Sequence, residues 1–251
     1  MIVSCMPENH LTEAENAAVD YINKQQHIIN LLSIDDVANG AFVSTATVSR
    51  AVRKCGFRSF SQMKYRLSED AKEDRQSSQM NRILSKSYTE CVETVKLIDI
   101  PTVIDLANRI RRAKSVYILA NGLTALIANE FAIQLQCQKI PVFLITDSEM
   151  MRKMDLFCSP DDLVIVLSVK NSTPELSIAL RLAKKMGATT ATCCCTVGTA
   201  LDELSDLVLY GYSQTVYPNR IFGGVSRIGL MIITRTVVEY MESENEQTCS
   251  E

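Results

Sequence analysis

Residues 163–175 read LVIVLSVKNSTPE, and this stretch decides the fold of the larger part of the chain. Its first five residues are apolar without interruption, which predicts a strand buried on both faces rather than one with a solvent-exposed face. Small polar residues follow, and Pro174 stands where the first turn of a helix is expected. A buried strand, a polar loop and a helix form the repeating unit of a parallel sheet.

The same unit recurs through the C-terminal part of the sequence. Further apolar runs lie at 116–120, 140–145, 189–195 and 207–210, and helices are expected near 123–137, 148–157, 174–187 and 221–243. Strands of this kind that alternate with helices predict an α/β fold, a doubly wound parallel sheet covered on both faces. With only 9 Gly and 6 Pro among 251 residues, a turn-rich all-β fold is disfavoured.

The N-terminal part predicts three short helices instead. Thr12 and Ser33 each precede an acidic residue three positions later, a pattern that caps the start of a helix, and a third helix is expected to begin at Ser44. The expected organisation is a small all-α domain at 1–70, a helical linker at 71–95, an α/β domain at 96–243 and a disordered tail at 244–251.

The third helix carries the main electrostatic feature of the chain. Six basic residues and no acidic residue lie between Arg50 and Arg66, although the net charge of the protein is −3. A helical wheel separates an apolar side from one with short polar side chains and two arginines, which suits the major groove of DNA. Candidate DNA contacts are Ser44, Thr45, Thr47, Ser49, Arg50, Arg53, Lys54, Arg58 and Lys64. The alternative is a protein-interaction or dimerisation module.

Two loops in the α/β part predict a site for an anion. They follow the first and third strands, where the amides at helix N-termini and the carboxyl ends of parallel strands bind ligands. The alternative is that their hydroxyl groups only cap helices. The candidate ligand residues are Asn121, Gly122, Thr124, Ser168, Lys170, Asn171, Ser172 and Thr173.

Residues 43–64, VSTATVSRAVRKCGFRSFSQMK, resemble the helix-turn-helix of the RpiR family of bacterial transcriptional regulators. The second domain resembles the SIS (sugar isomerase) domain of that family, so the resemblance extends from about Leu11 to Met241. It implies a regulator of carbohydrate metabolism genes that binds a double-stranded DNA operator and senses a phosphorylated sugar or amino sugar. Because one recognition helix makes few base contacts, a homodimer or homotetramer is expected on a palindromic site.

The resemblance includes specific matches and departures. In the family the second loop commonly reads S-x-S-G-x-T-x-E, which Ser168, Thr173 and Glu175 match, whereas Lys170 and Asn171 replace its second serine and its glycine. The first loop, commonly G-x-G-x-S, corresponds here to ANGLT at 120–124. Ser226 and Arg227 match a Ser-Arg pair of the family.

Catalysis, metals and cofactors are not expected. Both histidines, His10 and His27, precede the α/β domain, so a histidine metal site is not expected there. No carboxylate pair stands out as a proton shuttle. Asp147 is expected either to cap a helix or to line the ligand site. The alternative function is a sugar-phosphate isomerase with an appended helix-turn-helix domain. Cysteines 193–195 are expected to fill the core. Nine cysteines without a C-x-x-C pair, no secretory signal and no membrane span indicate a cytoplasmic protein.

Overall fold

The computed structural model describes residues 3–6, 9–26, 28–70, 75–214 and 225–248. The chain divides into two compact units, Met1–Thr89 and Glu90–Glu251. The boundary lies inside a helix, within the segment where the sequence predicts a helical linker.

The N-terminal unit is entirely helical. Two helix starts are closed by the expected capping boxes, Thr12 with Glu15 and Ser33 with Asp36, and Ser44 accepts a hydrogen bond from the Thr47 amide. A core of branched and small side chains holds the helices together, including Ile22, Val37 and Val48, which are fully buried. The helices are α1 (Glu13–Lys24), α2 (Ile34–Gly40), α3 (Thr45–Lys54), α4 (Phe60–Asp70) and the start of α5 (Arg75–Leu97).

The C-terminal unit is built around a five-stranded parallel sheet with the strand order β2-β1-β3-β4-β5. This arrangement confirms the predicted doubly wound α/β fold. The strands are β1 (Val116–Leu119), β2 (Val142–Ile145), β3 (Leu163–Ser168), β4 (Thr189–Cys194) and β5 (Leu207–Tyr210). The helices after α5 are α6 (Ile100–Arg112), α7 (Thr124–Cys137), α8 (Ser148–Met151), α9 (Pro174–Lys185), α10 (Ala200–Leu204) and α11 (Ile228–Thr248).

Strand β3 lies at the centre of this unit. All six of its residues are buried, and its side chains enter two apolar clusters: Ile165 belongs to one, and Val164 and Val166 belong to the other. The chain leaves β1 towards β2 on one side and later places β3 on the other side of β1. The crevice between the carboxyl ends of β1 and β3 is therefore the topological switch point, where open parallel sheets bind ligands.

The last helix differs from its prediction at both ends. It begins at Ile228, and residues 225–227, which the prediction placed inside the helix, lie outside it, where the Arg227 guanidinium donates to the Val225 carbonyl oxygen at 3.0 Å. Ile221 lies outside the described residues. The helix continues to Thr248, where the sequence predicts a disordered tail from 244. Glu244 is held there by Arg111 and by the Tyr240 hydroxyl, whose oxygen is 2.7 Å from it.

Smaller differences concern short helices. The predicted helix at 148–157 is divided into α8 and a separate 3₁₀ turn at Met154–Leu156. Helices α6 and α10 are additional to those that the sequence pattern suggested. Within the described ranges, no helix combines the length and apolar character needed to cross a bilayer.

The cysteines at the end of β4 pack in the interior, as the sequence suggested. Cys193 and Cys194 are buried, and burial raises the pKa of Cys195 to about 12. Thiols with raised pKa values are largely protonated at neutral pH, which makes them weak nucleophiles and weak metal ligands. In the part of the chain that the structure describes, no group of three or more His, Cys, Asp or Glu residues is placed to hold a metal ion.

Candidate functional site

Helix α3 has one buried face and one exposed face. Val48, Ala51 and Val52 are fully buried against the other helices of the unit. On the opposite face, the Arg50 side chain is 61% exposed, and Arg53 is also exposed. The helix thus presents two guanidinium groups to solvent, as its sequence predicted.

The N-terminus of α3 is closed by a small hydroxyl network. Ser44 Oγ accepts from the Thr47 amide at 3.1 Å and lies 2.9 Å from the Thr47 hydroxyl. Thr47 is buried, and its hydroxyl oxygen accepts from Arg50 Nη2 at 3.2 Å. The geometry gives Thr47 an internal role, the support of Arg50, and its predicted contact with DNA stays a prediction. Thr45 is exposed and Ser49 half-buried on the same helix.

Lys54, predicted at the DNA interface, is paired inside its own unit. Its Nζ atom donates to Glu15 Oε2 at 2.6 Å and to the carbonyl oxygen of His10 at 2.9 Å. Glu15 closes the N-terminus of α1 and is only 3% exposed. The Lys54 hydrogen bond, with help from the Thr12 amide, lowers the pKa of Glu15 to about 2, so this carboxylate is charged at neutral pH.

A groove of about 420 Å³ lies beside the exposed face of α3. Two cations contribute to it, Arg53 and Lys64. Lys64 is anchored, because its Nζ atom donates to the Leu32 carbonyl oxygen at 2.8 Å and lies 5.7 Å from the centre of the Phe60 ring. Burial lowers the pKa of Lys64 from its ordinary value. The lining residues are Ser33, Ile34, Ser49, Arg53, Ser59, Phe60, Ser61 and Lys64. Arg58 is exposed nearby in sequence.

In the C-terminal unit, the loop after β1 begins with Asn121 and Gly122. Gly122 has φ +58°, a left-handed conformation that glycine adopts without strain. With its amide nitrogen turned towards them, Asn121 donates to the carbonyl oxygens of Ala120 at 3.2 Å and Thr146 at 3.1 Å. Asn121 therefore ties the loop after β1 to the residue that follows β2.

Thr124 stands in the first turn of α7 and is buried. Its hydroxyl oxygen accepts from Arg227 Nε at 3.3 Å. Arg227 is half-buried, and burial lowers its pKa from the ordinary value. The Arg227 guanidinium supplies positive charge next to the crevice between β1 and β3. Arg227 was not among the ligand residues predicted from the sequence, where only the Ser226–Arg227 match to the family pointed to it.

The loop after β3 is organised by Asn171, which stands where the family commonly has glycine. Asn171 has φ +53°, a left-handed conformation that is strained for a residue with a Cβ atom but not for glycine. Its own hydrogen bonds hold it in this conformation. Its backbone N–H donates to Ser168 Oγ at 3.0 Å, and its Nδ2 atom donates to Thr199 Oγ1 at 2.9 Å. Asn171 thereby links the loops that follow β3 and β4. Its Oδ1 atom is buried and has no hydrogen-bond partner among the described residues.

The start of α9 has no side-chain cap. Thr173 is the N-cap residue, yet its side chain makes no capping hydrogen bond, so the predicted alternative of a hydroxyl cap does not hold at this position. Lys170 and Ser172 are exposed in the same loop. Amide groups at a helix N-terminus together with a nearby lysine favour an anionic ligand.

Acidic side chains near this edge of the sheet are already engaged. Asp147 caps α8 by accepting from the Met150 amide at 2.9 Å, which confirms one of its two predicted roles; its place in the ligand site stays a prediction. Glu175 accepts from Arg152 at 2.6 Å. Although burial opposes it, hydrogen bonds from Thr199 and Tyr210 lower the pKa of Asp202.

Two family models match the chain, one in each part. Residues 5–74 match the helix-turn-helix domain of the rpiR family, and residues 109–232 match the SIS domain. The fold and the exposed face of α3 define a helix-turn-helix transcriptional regulator that carries an α/β domain of the SIS type. The chain belongs to the RpiR family.

Similar proteins agree with this assignment. An uncharacterised HTH-type transcriptional regulator from Clostridium perfringens is 25% identical over 255 residues, covering 95% of this chain and 91% of that protein. The Vibrio vulnificus NanR protein, solved in complex with ManNAc-6P, is 22% identical, and the structural alignment, with a TM-score of 0.58, covers 95% of this chain and 90% of the NanR chain. A phosphoheptose isomerase from Francisella tularensis is 15% identical, with coverages of 68% and 100% and a TM-score of 0.53. The two structural similarities show the fold.

Proposed function

We propose that this regulator binds an operator through helix α3 and senses a phosphorylated sugar or amino sugar at the crevice between β1 and β3. The observation that carries the first half is the exposed pair Arg50 and Arg53 on a capped helix whose other face is fully buried. The second half rests on cationic and amide donors gathered at the switch point of the sheet.

The N-terminal surface has the chemistry of a DNA-reading helix. Arginine recognises the two acceptors of guanine in the major groove, and hydroxyl groups bind either bases or phosphates. The groove beside α3 supplies Arg53 and Lys64 together with several serine hydroxyl groups, a combination that suits a backbone phosphate. We assign base contacts to Arg50, and phosphate contacts to Thr45, Arg58 and the groove that Ser49, Arg53 and Lys64 line.

The ligand site combines fixed and exposed groups. Thr124 and Arg227 form one side, and the loop of Ser168, Lys170 and Asn171 forms the other, since β1 and β3 are neighbours in register with Leu119 opposite Val166. Phosphate groups bind well to a guanidinium, a lysine and the N-terminus of a helix. The buried Oδ1 atom of Asn171 can accept a hydrogen bond from a sugar hydroxyl or amide.

The choice of an amino sugar phosphate as the first ligand to test follows from the NanR complex with ManNAc-6P. Lys170 and Asn171 depart from the family loop, so the preferred sugar of this protein is expected to differ in the groups that contact them. Lys170 adds one positive charge to a loop that commonly has a serine there.

We propose sensing rather than catalysis for the SIS domain. Sugar isomerisation needs a base positioned at the carbon that loses a proton. Asp147, Glu175 and Asp202 each hold a structural hydrogen bond or ion pair instead. The isomerase alternative is favoured by the fold shared with a phosphoheptose isomerase, and an assay for interconversion of hexose and pentose phosphates separates the two functions.

We further propose that the protein acts as a homodimer or homotetramer. One recognition helix makes few base contacts, so two copies on a palindromic site are needed for strong specificity. Leu126 and Ile133 lie seven positions apart on α7 and are both exposed, which gives this helix an apolar stripe suited to self-association.

Genomic footprinting with the purified protein tests the proposal, followed by gel shifts on a recovered duplex with and without sugar phosphates. We expect a palindromic protected site, and a change in affinity for it when the cognate sugar phosphate is added. Absence of any protected site would overturn the DNA half. A lack of thermal stabilisation by every sugar phosphate tested would overturn the effector half.

A further inference from the structure

The buried carboxylate of Glu15 faces two cations of the DNA-reading helix, although the sequence pattern predicts only a capping role for it. Its Oε2 atom accepts from Lys54 at 2.6 Å, and its Oε1 atom lies 3.7 Å from Arg50 Nε. Arg50 and Lys54 are one helical turn apart on α3, so a single carboxylate from α1 spans both.

The two cations differ in what they present to solvent. The Lys54 side chain is 33% exposed, and its ammonium group already has two oxygen partners, Glu15 and the His10 carbonyl. The Arg50 side chain is 61% exposed, with its Nε atom facing Glu15 and one Nη atom donating to Thr47. Its remaining N–H groups are left for an external acceptor.

Fixing an arginine in this way affects recognition. A guanidinium held by its Nε edge keeps its planar fork in one orientation, and a fork fixed in advance loses less freedom when it binds two acceptors. A lysine held by a buried carboxylate contributes little to the phosphate attraction that drives non-specific binding.

We propose that Glu15 is a positioning residue for DNA specificity, which orients Arg50 towards base edges and withholds Lys54 from phosphates. This inference rests on the proposed role of α3 as the reading helix. Glu15 itself is buried and does not touch the DNA.

The decisive variant is Glu15→Gln in the full-length protein. Glutamine also serves at the third position of a capping box, so the start of α1 retains its acceptor while the charge is lost. Binding is measured on a duplex that the wild-type protein selects from a random pool and on an unrelated duplex of equal length, over a range of salt concentrations.

We expect the variant to bind the selected duplex more weakly and the unrelated duplex more tightly. The ratio of the two affinities should fall by about fivefold or more, the lower end of the loss expected for one arginine contact. The salt dependence on the unrelated duplex should steepen by about one unit of slope, because Lys54 gains access to a phosphate. A role confined to folding would weaken both affinities together.

Glu13→Gln is the matched control. Glu13 lies in the same first turn of α1 and is exposed, so this change alters the net charge equally without touching the α3 cations. An affinity ratio in Glu15→Gln equal to that of Glu13→Gln would overturn the inference.

A second variant tests the inference if Glu15→Gln folds poorly. Glu15→Asp keeps the charge but withdraws the carboxylate by one methylene from both cations, and the ratio of the affinities for the selected and unrelated duplexes should again fall.

The double variant Glu15→Gln/Lys54→Gln should restore the wild-type salt dependence while specific binding stays weak, because Arg50 still lacks its partner. An unchanged ratio in Glu15→Asp would also reject the inference. If the wild-type protein selects no duplex, the proposed function fails and the inference with it.

Discussion

Arg227 Nε lies 3.3 Å from the hydroxyl oxygen of Thr124, although the two residues are 103 positions apart in the chain. The contact joins the segment before α11 to the first turn of α7, beside the switch point of the sheet. It places a half-buried guanidinium where an anionic ligand is expected.

Arg227→Gln should therefore weaken binding of a sugar phosphate by about tenfold or more, since a charge-assisted hydrogen bond to the ligand is lost. Isothermal titration calorimetry with ManNAc-6P, or with the sugar phosphate that most raises the melting temperature, measures the effect. Arg235→Gln is the control, because Arg235 is exposed on α11 and pairs with Glu239. Equal losses in both variants would remove Arg227 from the site.

Arg50→Ala and Arg53→Ala should each weaken binding to a selected duplex by roughly 1–3 kcal/mol without unfolding the domain, because both side chains lie on the exposed face of α3. Gel shifts at fixed salt measure the change. Lys24→Ala removes one positive charge from the end of α1 and should have little effect. Unchanged affinities in both arginine variants would show that another element reads the DNA.

Substitutions of Asn171 should separate backbone strain from hydrogen bonding. Its φ of +53° suits glycine, so Asn171→Gly loses only the side-chain bonds to Thr199 and Thr196. Asn171→Val also forces a β-branched residue into the left-handed region and should be less stable than the glycine variant by about 1–2 kcal/mol. Urea unfolding measures the difference, and equal stabilities would show that the loop relaxes to another conformation.

The pH dependence of stability should include a contribution from Glu15. Its pKa in the folded protein is about 2, below the ordinary value of 4.5, because Lys54 donates to the charged form. The unfolded chain binds this proton at the higher pH, so the stabilisation is complete above pH 4.5 and is lost as the pH falls towards 2.

Urea unfolding of wild type and Glu15→Gln across this acidic range tests the assignment. The free energy of unfolding should decline more steeply with falling pH in the wild-type protein than in the variant, because glutamine does not titrate. Glu13→Gln should retain the wild-type slope. Parallel curves for wild type and Glu15→Gln would contradict a depressed pKa at Glu15.

Local patterns in the sequence predicted the features that depend on neighbouring residues. The caps at Thr12, Ser33 and Ser44 and the uninterrupted apolar run of β3 are properties of a few adjacent positions, and the structure confirms them. The predicted start of α11 was wrong because Val225 continues the helical spacing of apolar residues in the sequence, whereas residues 225–227 are not helical in the structure.

Contacts between distant positions lay beyond such patterns. The Glu15–Lys54 hydrogen bond joins residues 39 positions apart, and the spacing of charges in the sequence contains no sign of it. For the same reason the sequence did not show that Lys54 and Lys64, both predicted as DNA contacts, donate to oxygens of their own unit. Pairing of this kind depends on how the helices pack.

Strand β3 is buried along its whole length, while Lys170 and Ser172 in the loop that follows it are exposed. A replacement within the strand disturbs close-packed neighbours on both sides of the sheet, but a replacement at these loop positions disturbs none of them. Evolution can thus redirect this domain to a different metabolite through a handful of substitutions, and an engineer who wants a biosensor for a new sugar can diversify the same few codons without rebuilding the scaffold.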